Sequence, residues 1–423
     1  MSITAIKGMH DVGPAEIELW HHIEKIARDV FETAGFFELK TPVLEKEILF
    51  TQGIGNTTEI VEKEMYRFPD RKEQILALRP EGTASIVRSY IEHYATPGDP
   101  YQRFYYYGPM FRYERPQKGR YRQFYQMGAE VFRSAHPMTD AELIHLADQI
   151  FRRLDLKNVQ LQLNTLGCKQ CRPNFREALL GFLRPLVAVL CEDCNRRLER
   201  NPLRILDCKK EGCIQATQEA PAGLDYLCDS CVSHFEGVQK GLRLLGTSYQ
   251  INARMVRGLD YYEKTAFEFL SGDLGAQNAV AGGGRYDGLV KDLGGPDVSG
   301  VGFAIGVERL VSLIDAQKVP SKYTTLFLAP MGERAQEKLL SFINPLRRLG
   351  YRVMSDYDAS TLKALLKQAD RQKADYALIL GDNELEKNEI QMKPLQGQGE
   401  VKQISLDALL VFFEAQIRKP STL

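Results

Sequence analysis

The stretch that most limits how this chain can fold is Phe111–Gln126, FRYERPQKGRYRQFYQ, where five of residues 112–122 are Arg or Lys and Glu114 is the only acid. Such a run is too charged to be an interior strand. Yet the apolar run Phe104–Met110 leads into it, and Tyr121–Phe132 leads out. Pro116 and Gly119 mark a turn, so a β-hairpin with a basic tip is expected. Arg112 stands just before the turn, where its planar fork suits bidentate pairing with phosphate or carboxylate. On the return strand Phe124 offers a ring on which a base can stack. Gln126 and Glu130 fall on one face of that strand by its period of two. One sheet surface therefore carries an amide and a carboxylate beside an anion clamp.

With 423 residues there is room for two or three domains, each with its own core. Hydrophobic residues at 44% and charged residues at 26% fit a globular enzyme and exclude a disordered chain. Lys+Arg and Asp+Glu balance at 55 each, so nucleic-acid binding has to come from local basic patches such as the hairpin. Apolar runs such as Leu409–Phe413 are far too short to span a bilayer. The N-terminus, MSITAIKGMHD, has no signal-peptide core, and a cytoplasmic location is expected. In that compartment eight cysteines point to metal ligation or buried thiols rather than disulfides.

Taken in order, Leu19, Ile23, Ile26 and Val30 recur at helical spacing until Gly35, and a strand Phe36–Thr41 ends at Pro42. LALRPEGT, Leu76–Thr83, is expected to be a strand that ends in a turn. There Glu81 and Thr83 are placed to accept from an ammonium group. A helix over 139–156 and a strand Val159–Leu166 precede the cysteines. MVRGLDYY then brings Arg257, Tyr261 and Tyr262 together near a glycine turn. Gly282, Gly283 and Gly284 are expected in a loop that closely approaches a ligand, because a core strand should not tolerate three glycines. No Lys-Ser/Thr pair follows, which excludes a P-loop. GVGFAIGVERL predicts a strand, a glycine turn and a helix from about Val307, with Arg309 in its first turn where a terminal phosphate can be met. From about residue 324, alternating strands and helices predict a βαβ unit with a largely parallel sheet. Lys363, Lys367, Arg371 and Lys373 there form a basic face suited to RNA.

Arg-x-Glu, a Gly-Arg turn and Arg-x-Phe-x-Gln in the hairpin resemble motif 2 of the class II aminoacyl-tRNA synthetases. The helix, strand and Pro42 near the N-terminus resemble motif 1, and Arg309 after GFAIG resembles motif 3. LRPEGT, RGLDYY and GGGRYDGL resemble the histidine-specifying segments, so nearly the whole chain resembles the bacterial-type histidyl-tRNA synthetase family. The resemblance is weakest in the cysteine-rich segment. It implies an α/β (α+β) architecture: a catalytic domain over residues 1–323, with an antiparallel class II sheet flanked by helices, and a helical insertion over 168–248. An α/β anticodon-binding domain is implied over 324–423. The implied activity is ATP-dependent ligation of L-histidine to histidine tRNA through histidyl-adenylate, with Mg²⁺ accompanying ATP. A homodimer through Glu16–Pro42 is implied as well.

Site roles follow from the same resemblance. Arg112 is implied at the α-phosphate, Glu114 at the adenine, Phe124 stacked on it, and Arg309 at the γ-phosphate. Arg257 is implied to stabilise charge developing at the α-phosphate, with Arg112 and Gln126 sharing the catalytic role. Glu81, Thr83 and Gln126 are implied at the α-amino group, Glu130 and Tyr262 at the two imidazole nitrogens, and Arg112, Arg257 and Tyr261 within the histidine pocket. Arg115, Gln117 and Lys118 are implied at the acceptor end of the tRNA. A regulatory relative of the same catalytic fold tends to lose the motif 2 and motif 3 arginines, which this chain keeps.

The cysteines stand apart from this pattern. Cys168/Cys171, Cys191/Cys194 and Cys228/Cys231 have CxxC spacing, and Cys208/Cys213 is slightly wider. All of these fit four-thiolate zinc sites. Four pairs combine into two sites in three ways that spacing does not separate, and reduced thiols in a small core are the alternative. Because the residues implied in adenylate chemistry lie outside the segment, structural Zn²⁺ is expected, and its removal is expected to loosen residues 168–231 while adenylate formation largely survives.

Overall fold

The chain divides into two units, Met1–Val319 and Pro320–Leu423. The computed structural model describes residues 3–55, 58–96, 98, 102–117, 119–259, 261–275, 278–316, 319, 323–359, 361–396 and 399–417. Strands of the first unit are β1 (Phe37–Glu38), β2 (Leu44–Lys46), β3 (Arg67–Pro69), β4 (Ile75–Leu78), β5 (Gln102–Phe111) and β6 (Gln123–Phe132). They continue with β7 (Val159–Thr165), β8 (Gln250–Ile251), β9 (Glu263–Ser271), β10 (Ala279–Arg285) and β11 (Gly300–Gly306). Eight form one sheet in the order β1-β5-β6-β11-β10-β9-β7-β8, and β2-β4-β3 form a small second sheet. The large sheet is antiparallel except where the two-residue strands β1 and β8 join its edges.

Alternation along β6 separates core from site. Met127, Ala129 and Val131 join the large core, which the helices Ile17–Thr33 and Pro137–Arg153 complete from that side. Phe132 and partly buried Phe124 belong to the opposite face, packed with Ile86, Val87 and Tyr90 of the helix Thr83–His93.

The three glycines from 282 to 284 do not form a loop: they lie inside β10, between β9 and β11. Their need is real: the protein's own groups approach them closely, and Gly282 also lines a cleft near Arg257. A Cβ on Gly282 would overlap the Arg257 guanidinium, and one on Gly302 of β11 would overlap the Glu130 carboxylate. Side chains from neighbouring elements fill the space that these residues leave.

The cysteine-rich segment is helical, with helices Cys171–Leu183, Glu192–Arg200, Glu211–Ala216 and Asp229–Leu244. Its small core gathers Phe175, Leu179, Leu183, Leu190 and Ile205 around Cys194, Cys208 and Cys213. The last of these helices is also part of the main core, through Phe235, Val238 and Leu242.

In the second unit β12 (Thr325–Pro330), β13 (Arg352–Ser355), β14 (Tyr376–Leu380), β15 (Glu389–Pro394) and β16 (Lys402–Ser405) pair in the order β13-β12-β14-β15-β16. The first three are parallel, joined by the helices Glu333–Arg348 and Leu362–Arg371. β15 and β16 are antiparallel, so the largely parallel expectation holds for half of the sheet. Residues 381–388 between β14 and β15 are fewer than the about a dozen needed for a parallel crossover. Among the described residues no helix is long and apolar enough to cross a membrane.

Candidate active site

The hairpin forms as expected, with β5 and β6 paired from Gln102↔Phe132 to Phe111↔Gln123. Arg112 donates from Nε to the Pro80 carbonyl at 2.9 Å, and its guanidinium lies 5.2 Å from the centre of the Phe124 ring. Glu114 pairs with Arg120 at 3.0 Å and with Arg112 at 3.8 Å. Arg309, in the helix Val307–Leu313, donates to the Ala279 carbonyl. Burial lowers its pKa, and repulsion from Arg120 and Arg112 lowers it further. Three guanidinium groups lie within electrostatic reach of one another, and although Glu114 and Glu268 offset part of their charge, their convergence on one cleft suits a polyanion.

At the other end Glu81 is buried and accepts from the backbone N–H groups of Thr83 at 2.7 Å and Ala84 at 2.8 Å. It thereby caps the helix Thr83–His93. Burial holds its carboxyl above the usual range even against those donors. Thr83 donates its hydroxyl to Glu130 at 2.7 Å, and Tyr286 donates to the second Glu130 oxygen. Burial pushes the Glu130 carboxyl up to about 8. Tyr262 is raised by burial and therefore stays a phenol at neutral pH. Arg257 pairs with Glu268, sits over Gly282 and lies 5.5 Å from the centre of the Tyr262 ring. Gln126 Oε1 is buried without a hydrogen-bond partner among the described residues, an acceptor left available to a ligand.

Ten residues singled out from sequence line one cleft of about 650 Å³: Glu81, Thr83, Arg112, Glu114, Phe124, Gln126, Arg257, Tyr261, Tyr262 and Arg309. Glu130 lies behind it, one hydroxyl away through Thr83. Arg115 and Gln117 are exposed on the hairpin outside the cleft, and Lys118 lies outside the described residues. Sequence reasoning missed Glu268 and Tyr286. Glu268 was visible as the one charge in the apolar run AFEFL, and Tyr286 stands inside GGGRYDGL. It also placed the cysteine-rich segment away from the chemistry, whereas Leu206, Asp207 and Lys209 line the same cleft. The expectation that this segment can loosen while adenylate chemistry survives loses its basis, since residues on both sides of Cys208 form a wall of the cleft.

The eight cysteines gather into two groups, Cys168/Cys171/Cys228/Cys231 and Cys191/Cys194/Cys208/Cys213, each with its sulfurs within 4.8 Å of one another. All are free thiols. Sγ···Sγ distances of 3.6 Å for Cys168–Cys171, 3.9 Å for Cys168–Cys228 and 4.0 Å for Cys191–Cys208 are far from a disulfide. They match the edge of about 3.8 Å in a tetrahedron with metal–sulfur bonds of about 2.3 Å. Backbone N–H groups of Cys228 and Cys191 donate to Cys171 and Cys213 sulfurs at 3.1 and 3.2 Å, as thiolate ligands require. One of the three pairings is thus selected, and its donor set fits a tetrahedral soft-metal site.

A family model described as histidyl-tRNA synthetase matches residues 8–170 and 201–310, and one described as anticodon binding domain matches 325–416. A protein named histidine–tRNA ligase from Syntrophotalea carbinolica is 48% identical over 97% of this chain and 97% of its own length. Another of that name from Geobacter sulfurreducens is 52% identical over 90% of this chain and 92% of its own. The crystal structure of apo histidyl-tRNA synthetase from S. aureus superposes with a TM-score of 0.80 at 34% identity, covering 98% of this chain and 100% of that one. Cleft, sheet and matches agree: this chain belongs to the histidyl-tRNA synthetase family.

Proposed function

We propose that this protein activates L-histidine with ATP, accompanied by Mg²⁺, and transfers the histidyl group to histidine tRNA. In the first step a carboxylate oxygen of histidine attacks the α-phosphorus of ATP and pyrophosphate leaves, giving histidyl-adenylate. In the second the hydroxyl of the terminal tRNA ribose attacks the acyl carbon and AMP leaves. Both steps need charge control more than a protein nucleophile. Mg²⁺ bound to the substrate's phosphates neutralises part of their charge. Arg112 takes the α-phosphate, Arg309 the γ-phosphate, Glu114 the adenine, and Phe124 stacks on that base. Arg257 supplies fixed positive charge at the α-phosphate, held ready by Glu268.

Glu81, Thr83 and Gln126 receive the α-amino group, and Tyr261 completes the pocket. Tyr262 meets one imidazole nitrogen. Glu130 serves the other from behind the cleft wall, through the Thr83 hydroxyl that donates to it and can accept from a ring N–H. An amino acid without matching ring nitrogens leaves such groups unpaired at about 1–3 kcal/mol each. The observation that carries this reading is that the arginine clamp and the Glu81/Thr83/Tyr262 pocket share one cleft. Pyrophosphate exchange should depend on histidine, and exchange with another amino acid but not with histidine would sink the reading.

Residues 1–323 form the catalytic domain with its 168–248 insertion, and 324–423 the domain that takes the anticodon. Arg115, Gln117 and Lys118 meet the acceptor end. The molecule works in the cytoplasm as a homodimer through Glu16–Pro42, a reading supported by the large apolar side chains exposed nearby, Phe37, Leu44 and Ile48. Sedimentation as a 48.0 kDa monomer at micromolar concentration would contradict the dimer. Each cysteine group holds a structural Zn²⁺.

A further inference from the structure

The turn that carries Cys168 and Cys171 is bonded directly to the loop that carries Tyr262. Arg172, beside Cys171, donates its guanidinium to the Tyr262 carbonyl. The Lys264 N–H donates to the Gly167 carbonyl at 2.9 Å, and the Leu166 N–H to the Lys264 carbonyl at 2.7 Å. The Lys169 ammonium lies 4.0 Å from Glu263. Residues 166–172 therefore hold 262–264 at four points. The segment they hold needs support, since Lys264 has φ +50°, a left-handed conformation unfavourable to a side chain with a Cβ.

Cys228 and Cys231, the other half of this group, stand at the start of the helix Asp229–Leu244. That helix is anchored in the main core through Phe235, Val238 and Leu242, and its His234 bonds buried Asp140 at 3.0 Å. A metal shared by the four sulfurs joins a fixed helix to the turn that grips the Tyr262 loop. The family model passes over residues 171–200, so three of the eight cysteines and Arg172 fall outside what it matches.

We infer that zinc at Cys168/Cys171/Cys228/Cys231 positions Tyr262 through Arg172, so that the metal site sets the affinity for the amino acid. This rests on the histidine pocket proposed above. The phosphate side is held separately, by the β5–β6 hairpin and the helix Val307–Leu313, and is not expected to respond. Arg172 is a positioning residue: it touches the Tyr262 carbonyl, not the ligand.

The test uses the full-length protein purified without chelator, beside Cys231→Ser and Arg172→Ala. Zinc is counted by elemental analysis, and the dependence of pyrophosphate exchange on histidine and on ATP is measured separately. Two zinc ions are expected in the parent and in Arg172→Ala, and one in Cys231→Ser. Both variants should raise the KM for histidine about tenfold while the KM for ATP stays within about twofold. Should Cys231→Ser fail to fold, Arg172→Ala, which keeps all eight thiols, decides by itself. Loss of one ion with an unchanged KM for histidine overturns the positioning role and leaves the proposed function standing. A parent protein without zinc overturns the metal site. A zinc-loaded parent that shows no histidine-dependent exchange overturns the proposed function itself.

Discussion

In the first unit Arg79, Glu81, Glu130, Asp140 and Arg285 are buried, whereas in the second Thr325 is the one buried polar residue among those described. The five-stranded sheet is packed in the ordinary way, with Leu326, Leu328, Leu378 and Leu380 closing against Leu339 and Leu346. Its charges stay outside, including Lys363, Lys367, Arg371 and Lys373. Interior charge is costly unless each group finds partners. The first unit meets that requirement in detail. Burial works to raise the Asp140 pKa, but the His234 hydrogen bond and the Arg285 charge outweigh it and hold the group below its usual value. A sheet that tolerates so many internal charges is shaped for a small polar ligand, and one with a plain apolar core and a basic face at 363–373 suits a large anionic partner.

The most severe test of this contrast is Arg257→Ala. Losing one preorganised charge should slow histidine-dependent pyrophosphate exchange by about 10²–10³, with the KM for histidine little changed. An unaltered turnover would remove Arg257 from the chemistry. Next comes truncation after residue 323, which should lower aminoacylation by about tenfold or more through lost backbone contacts to the tRNA while exchange largely survives. Equal damage to both activities would break the contrast, since the second unit would then support the first. A finer probe is Lys367→Glu with Arg371→Glu, expected to raise the KM for tRNA by about threefold to tenfold and to flatten its salt dependence. Exchange should not change.

The smallest effect concerns pH. Burial raises Glu130 from the ordinary 4.5 to about 8, so the folded protein holds this proton more tightly than the unfolded chain. Its contribution to stability is complete at low pH and is lost as pH rises from 4.5 through about 8. Glu308, raised to about 7 by burial, acts with the same sign. Thermal unfolding of Glu130→Gln should therefore decline less between pH 6 and pH 9 than that of the parent. An identical decline would show that Glu130 is already ionised at neutral pH.

Local pattern disclosed most of this molecule. The hairpin, the turn at Glu81 and the helix at Val307 each rest on neighbours a few residues away, and they appear within a residue or two of the expected bounds. What escaped depends on register between distant strands. Gly282 of β10 pairs with Glu268 of β9 and Ala304 of β11, and that pairing, not the glycine run itself, explains why a core strand can hold it. Glu268 likewise gains meaning only when Arg257 arrives beside it. The thiol pairing and the position of Leu206, Asp207 and Lys209 on the cleft wall were set by the path of the insertion, which no spacing rule records.

Gly282 and Gly302 also have a genetic consequence. Any missense change in a glycine codon adds a side chain, and at these two positions that side chain would fall where Arg257 and Glu130 already are. Inactivating alleles should therefore accumulate at both positions, including Gly302, which does not line the cleft. Second-site suppressors should be rare at Arg257 and Glu130, because shortening either residue to make room would remove the group the glycine was there to admit.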